Sequence, residues 1–305
     1  MKLTRSLAAC GLALVLLGSV TSPALAGPTY AFGPDGDGVG RVFGTVAPGA
    51  ATPQATLGDG SVAYNGGLVY SSAASRFFAI GNDGQGNSSL VSFTAAAPGT
   101  FTLNQSLATG GFTGGLAVNG TTLYAVSTDF TGASFLYSMD LTGGSLSLLG
   151  SLSGALYTGL AYDADDGLLY GIAADASGVG RSVRRISWSG GVSDTELFQL
   201  GDGSVAFNGG LAYDDQADLF KVIANDGSAA STLMSFDLTG SSSLTALGAS
   251  FGFGYLNAGL AIGPGGGTGG GGGGGGSSVP EPATPALLLA LAIAWAGARR
   301  KTSAP

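Results

Sequence analysis

The sequence predicts an all-β fold, a five-bladed β-propeller closed by a composite blade. Three observations predict it. Short runs of Val, Ile, Leu, Phe and Tyr alternate with polar residues and are cut by Gly-, Asn- and Asp-rich turns, and long helical periodicity is absent. The phrase Gly-Leu-Ala/Val recurs in the body at Gly67-Leu68, Gly115-Leu116, Gly159-Leu160, Gly210-Leu211 and Gly259-Leu260, with leucine-to-leucine steps of 48, 44, 51 and 49 residues. The two ends of the body hold complementary parts of one more repeat. Four strands in each repeat of this length are the signature of propeller blades.

Each Gly-Leu segment opens a first, innermost strand. The second strands are expected at Arg76–Ile80, Thr122–Ser127, Leu168–Ala173 and Leu219–Ala224. The third are expected at Ser89–Phe93, Phe135–Asp140, Ser182–Trp188 and Thr232–Asp237, and the fourth at Phe101–Leu107, Ser145–Leu149, Thr195–Leu200 and Ser243–Leu247. Before the first full repeat, Tyr30–Phe32, Arg41–Val46 and Gln54–Leu57 supply a second, third and fourth strand. After the last, Ala258–Ile262 supplies a lone first strand. Pairing these fragments closes a ring and removes open sheet edges. A sandwich or a solenoid could use the same strands, but the complementary half-blades favour the ring.

Alternation directs Leu68, Leu116, Leu160, Leu211 and Leu260 into packing between blades, with Phe77, Leu123, Leu169 and Leu219 filling the same layers. Burying a Leu or Phe contributes about 1.5–3 kcal/mol. The repeat loosely resembles the Gly-Leu-Ala-Tyr-Asp … Leu-Tyr repeats of bacterial propellers.

The flanks read as targeting segments. Lys2 and Arg5 precede a mostly apolar stretch, Leu7–Val20, and Ala24-Leu25-Ala26 is a small-x-small site before Gly27. Residues 1–26 are therefore expected to be a secretory signal peptide cut by signal peptidase. The only cysteine, Cys10, leaves with it, so the mature chain has no disulfide or thiolate chemistry.

The body, 27–263, is followed by a Gly-rich linker, 264–278. The run from Gly263 to Ser278 should behave as a flexible coil reaching about 20–24 Å r.m.s.. Residues 279–305 then read Val279-Pro280-Glu281-Pro282, an apolar run from Ala286 to Ala298, and Arg299-Arg300-Lys301. As a helix the apolar run spans about 20 Å. A bilayer core is about 30 Å thick, so the run is a marginal membrane anchor whose basic end stays cytoplasmic.

This order of motif, apolar helix and basic stop resembles the PEP-CTERM sorting signal of Gram-negative bacteria. The resemblance covers only about the last 27 residues. It implies recognition and processing by the membrane enzyme exosortase. It further implies an inner-membrane anchor in transit, then delivery to the cell surface or an extracellular polysaccharide matrix, as in a biofilm. The fold expected for the whole chain is thus a propeller flanked by a signal peptide and a C-terminal hydrophobic helix.

Without its two flanks the body holds 6 Lys+Arg and 18 Asp+Glu, a net charge of −12 against −8 for the whole chain. That charge disfavours nucleic acid and anionic membrane. The sequence contains no histidine, which removes the commonest general base and transition-metal ligand. The body has one glutamate, Glu196, and its aspartates are scattered through turns, so no facing carboxylate pair stands out. A non-enzymatic surface or matrix protein is the first expectation. A carbohydrate- or protein-binding module using the blade-top loops is the second, and a secreted propeller hydrolase the third.

Calcium is the one cofactor the loops suggest. Asp35 and Asp37, then Asp163, Asp165 and Asp166, then Asp214, Asp215 and Asp218 cluster carboxylates. No glutamate closes any of them in the twelve-residue EF-hand pattern, and solvated turns would look the same. One repeat pair is unusually close: Leu57–Leu68 returns as Leu200–Leu211 with only Tyr64 changed to Phe207, and Asn82-Asp83-Gly84 returns as Asn225-Asp226-Gly227. Recent duplication together with the turn chemistry of Asp-Gly and Asn-Gly explains much of this. A cation or sugar hydroxyl bound in these loops is the sharper expectation. Asn65 and Asn208 stand just before two of the inner strands.

Overall fold

Alternating apolar residues between glycine turns give antiparallel strands throughout the computed structural model. It describes residues 27–264 except 108–110, 130–131, 228–229 and 253–258. The expected signal peptide, the linker beyond 264 and the sorting signal lie outside the described residues.

The strands in chain order are β1 (Thr29–Pro34), β2 (Gly40–Ala47), β3 (Ala50–Thr56), β4 (Leu68–Ser71), β5 (Arg76–Asn82), β6 (Ser88–Thr94) and β7 (Ala97–Leu107). Next come β8 (Leu116–Asn119), β9 (Thr122–Thr128), β10 (Ser134–Asp140), β11 (Ser147–Leu152), β12 (Ala155–Asp163), β13 (Leu168–Ala174), β14 (Gly180–Ser187) and β15 (Ser193–Gln199). The last are β16 (Leu211–Asp214), β17 (Leu219–Asn225), β18 (Ala230–Phe236), β19 (Thr245–Ala246), β20 (Phe251–Gly252) and β21 (Leu260–Ile262).

They form five separate sheets, β4 to β7, β8 to β11, β12 to β15, β16 to β20, and a composite sheet in the order β21-β1-β2-β3. In the composite blade Tyr30 pairs with Ala261 and Ala31 with Leu260. The chain is a five-bladed β-propeller whose first and last strands share a blade.

Five buried apolar clusters fill the spaces between the five blades, and each contains one of the repeated leucines, Leu68, Leu116, Leu160, Leu211 or Leu260. Phe77 stacks on Phe93 between its blade and the composite one, with centroids 5.6 Å apart, and Phe220 stacks on Phe236 at 5.4 Å. The counterpart of Phe77 in the fifth blade is therefore Phe220. The expected Leu219 is only half-buried, because a shift of one position along a strand reverses the face.

A second correction concerns the outer edge of the fifth blade. The expected strand Ser243–Leu247 is replaced by a 3₁₀ turn at Ser241–Ser243 and two short strands, β19 and β20, both paired to β18. Ser243 Oγ donates to Gly240 O at 2.8 Å and accepts from Asp237 N at 3.0 Å. These side-chain bonds compete with the ladder.

The glycine before each repeated leucine closes the ring at its axis. A Cβ on Gly67, Gly115, Gly210 or Gly259 would lie 2.4–2.5 Å from the backbone nitrogen of Leu116, Leu160, Leu260 or Leu68, respectively. A Cβ on Gly159 would lie 2.8 Å from Leu211 N. Each first strand thus presses on the next one round the ring, and the fifth contact returns to the first strand.

Candidate functional site

Residues just before the inner strands meet the β5–β6 and β13–β14 loops on one face, the upper face here. They surround a cavity of about 500 Å³, within the roughly 300–1,000 Å³ typical of small-molecule sites. Asn65, Asn82, Asn208, Thr113 and Thr158 line it together with glycines, alanines and Leu156. No described lining residue carries a charge. Below it, at the glycine–leucine ring, only about 10 Å³ of free space remains. A single water needs about that much, so among the described residues the cavity narrows at the ring to a cup floor.

The same hydrogen-bonded corner builds two sides of the cup. Asn82 Nδ2 donates to Asn65 Oδ1 at 2.6 Å and to Phe112 O at 3.1 Å, and Asn82 Oδ1 accepts from Ser88 Oγ. Three blades on, Asn225 Nδ2 donates to Asn208 Oδ1 at 2.7 Å and Asn225 Oδ1 accepts from Ser231 Oγ at 2.6 Å. The bridges Ala63–Asn82 and Ala206–Asn225 hold both corners to the sheet. These are the repeat pairs visible in the sequence.

A further repeated unit braces the corners. Asp35 Oδ1 accepts from the backbone of Asp37 and Val39, each at 2.9 Å, and its other oxygen binds Arg41 Nε. Arg41 Nη1 in turn donates to Gly58 O at 2.8 Å. Asp175, Arg181 and Gly201 repeat the arrangement, with Arg181 Nη1 2.9 Å from Gly201 O. The Arg41 guanidinium and backbone amides hold the Asp35 carboxyl below its usual range. The sequence carried this signal in Asp-x-x-Gly-Val-Gly-Arg, present at 35–41 and 175–181.

The fourth blade departs from the pattern at its entry. In its neighbours an aromatic residue, Tyr64, Phe112 or Phe207, points into the core, and the next residue, Asn65, Thr113 or Asn208, faces the cup. Leu156 occupies the aromatic position but has φ 49°, so Tyr157 takes the core place while Leu156 is exposed on the cup. Tyr157 hydroxyl donates to Asp194 Oδ2 at 2.7 Å. Asp194 also takes Arg184 Nε at 2.6 Å and the amides of Ser153 and Gly154. Burial works against this carboxylate, yet its donors bring its pKa down to about 2, and burial and the carboxylate push the Tyr157 hydroxyl far above its usual value.

The acidic residues expected to bind a cation lie elsewhere. Packing of the fourth and fifth blades brings Asp165 and Asp218 to one hydroxyl, Tyr213, at 3.1 and 2.9 Å. Asp166 binds the Tyr170 hydroxyl, and Asp163 accepts from Asp165 N at 2.9 Å. Burial raises the Asp163 pKa. Asp214 is fully buried and pairs with Lys221 Nζ at 2.7 Å, with Asp215 next to it in the same turn. Asp37 lies in the exposed turn capped by Asp35. Among the described residues no three acidic side chains are arranged to hold a metal. Of the expected cleavage site only Gly27 is described; Ala24 and Ala26 are not, nor are the sorting residues.

No protein-family model and no curated protein matches the chain. Among solved structures it is similar to TolB from Acinetobacter baumannii, with TM-score 0.48, 13% identity, and coverage of 74% of this chain and 53% of that one. It is similar to a chain of the nidogen/laminin complex, with TM-score 0.47, 11% identity and coverage of 77% and 97%. It is also similar to the SapL1 lectin in complex with α-methyl fucoside, with TM-score 0.46, 10% identity and coverage of 74% and 76%. The chain spans about half the length of the TolB structure. None of these likenesses bears on what this chain binds.

Proposed function

We propose that this chain is an exported, non-enzymatic binding propeller of the bacterial surface or extracellular matrix, and that its upper cup holds a carbohydrate. The observation that carries the binding reading is the lining of the cup: asparagine amides and threonine hydroxyls set among glycines, alanines and the exposed Leu156, with no described charge. Such a lining suits an uncharged ligand with both oxygen atoms and an apolar face, and its described residues include no acid–base pair or nucleophile–base pair for bond cleavage. The export reading is supported by the basic and apolar N-terminus and by the motif, apolar run and Arg299-Arg300-Lys301 at the C-terminus. Exosortase and matrix polysaccharide are the partners this reading names.

Two measurements test it. A glycan array probed with the purified chain should show saturable binding; a flat array would remove the binding reading. Deleting 279–305 should retain the protein in the cell envelope or divert it to the medium, and unchanged delivery to the surface would remove the sorting reading.

A further inference from the structure

The two asparagine corners specify more about the ligand of the cup; this inference rests on the carbohydrate reading above. Asn82 Nδ2 has two hydrogens, and both are committed, to Asn65 Oδ1 and to Phe112 O. Asn65 must therefore present its oxygen to Asn82 and turn its own Nδ2 away. That Nδ2 donates to no described residue, and Asn65 lines the cup. In the second corner Asn225 Nδ2 claims Asn208 Oδ1, so Asn208 Nδ2 is likewise turned to the cup with no described acceptor. A donor left without a partner in a closed site costs binding energy unless the ligand supplies an acceptor.

We infer that Asn65 and Asn208 are paired ligand donors, and that the cup takes a neutral saccharide unit with oxygen acceptors on two separate edges. Two further observations narrow the class. Leu156, held at φ 49°, exposes 39% of its surface at the cup, an apolar patch for the C–H face of a sugar ring. No described cation lines the cup, and the body carries −12, so a uronic acid or sulfated sugar would bring its charge into an unbalanced site.

The test replaces each donor by its isostere. In Asn65→Asp and Asn208→Asp an oxygen still accepts from Asn82 or Asn225, so the corner is preserved, while the cup loses a donor and gains a negative charge. The full chain is titrated with maltotetraose, cellotetraose and dextran as neutral probes, and with alginate as the uronate probe. The expected result is binding to at least one neutral probe, weakened about tenfold by each substitution and about a hundredfold by both, with alginate bound far more weakly. Unchanged affinity in the double variant, or a preference for alginate, overturns this inference and leaves the carbohydrate reading standing. Absence of any binding by the native chain overturns both. Thermal unfolding of each variant, expected to match the native chain, separates lost contact from lost fold.

Discussion

Asp194 shows how much one buried carboxylate can organise. Its side chain is 1% exposed, and it gathers Tyr157, Arg184 and two backbone amides at the distorted entry to the fourth blade. Asp194→Asn leaves Arg184 without its closest anion and should cost about 3 kcal/mol or more, read as a lower urea midpoint. The pH dependence has a definite sign. A folded pKa of about 2 lies below the ordinary aspartate value near 3.9. The stabilisation is therefore complete above about pH 4 and lost as pH falls from there towards 2. The native urea midpoint should fall across that window more steeply than that of the Asn variant. The Lys221–Asp214 pair makes a second case. Lys221→Met strands a fully buried aspartate and should cost about 3–5 kcal/mol in the same assay. The sequence showed these residues as charges in turns and strands; it could not show their partners, which come from positions 37 to 41 residues away in the case of Asp194 and Ser153, Gly154 and Tyr157, or across a strand pair. Leu156 was hidden for another reason. Nothing in its side chain announces a left-handed backbone, which goes together with Tyr157 entering the core and bonding Asp194.

At the scale of the element, the inner strands were the most legible part. A glycine followed by leucine at regular intervals leaves few readings once the strands around it alternate. The outer strands were less so, because they are half-exposed and their apolar pattern is weak, and the serine run Ser241–Ser243 makes its own turn. The one-position slip at Leu219 arose because Leu219 and Phe220 are both apolar, and only the partner strand, where Tyr213 opposes Phe220, settles which faces inward. The glycine contacts give a sharp prediction. Gly115 has φ 111°, and a Cβ there would lie 2.4 Å from Leu160 N. Gly115→Ala combines a left-handed backbone with overpacking and should destabilise by about 2–4 kcal/mol. Gly36→Ala, where a Cβ meets nothing within 4 Å, should leave the melting temperature within a degree or two. Equal losses in both variants would remove the ring contact as the cause.

At the scale of the molecule, five-fold closure was readable because two incomplete repeats complement each other, and the sheet order β21-β1-β2-β3 bears that out. The cup was not readable. It is made by residues spread over the loops of several blades, and only Asn65 and Asn208 were visible beforehand as polar residues beside inner strands. Closure predicts that a chain ending at residue 258 loses more than its small share of surface. Without β21 the inner edge of β1 is unpaired, and two of the five axial contacts, Gly210 on Leu260 and Gly259 on Leu68, are missing. Such a chain should unfold without a single sharp transition and self-associate through the free edge, as followed by calorimetry and light scattering.

The shared blade also sets when the molecule can finish. In a secreted chain that emerges N-terminus first, β1 carries a raw edge until residues 260–262 have cleared the translocation pore. Joining the far ends of the body is a slow, non-local step, so nearly everything must be threaded before anything locks. If the chain is exported, as proposed, and crosses unfolded, a latch placed at the last strand would keep the polypeptide pliant during passage and make it rigid only on the far side.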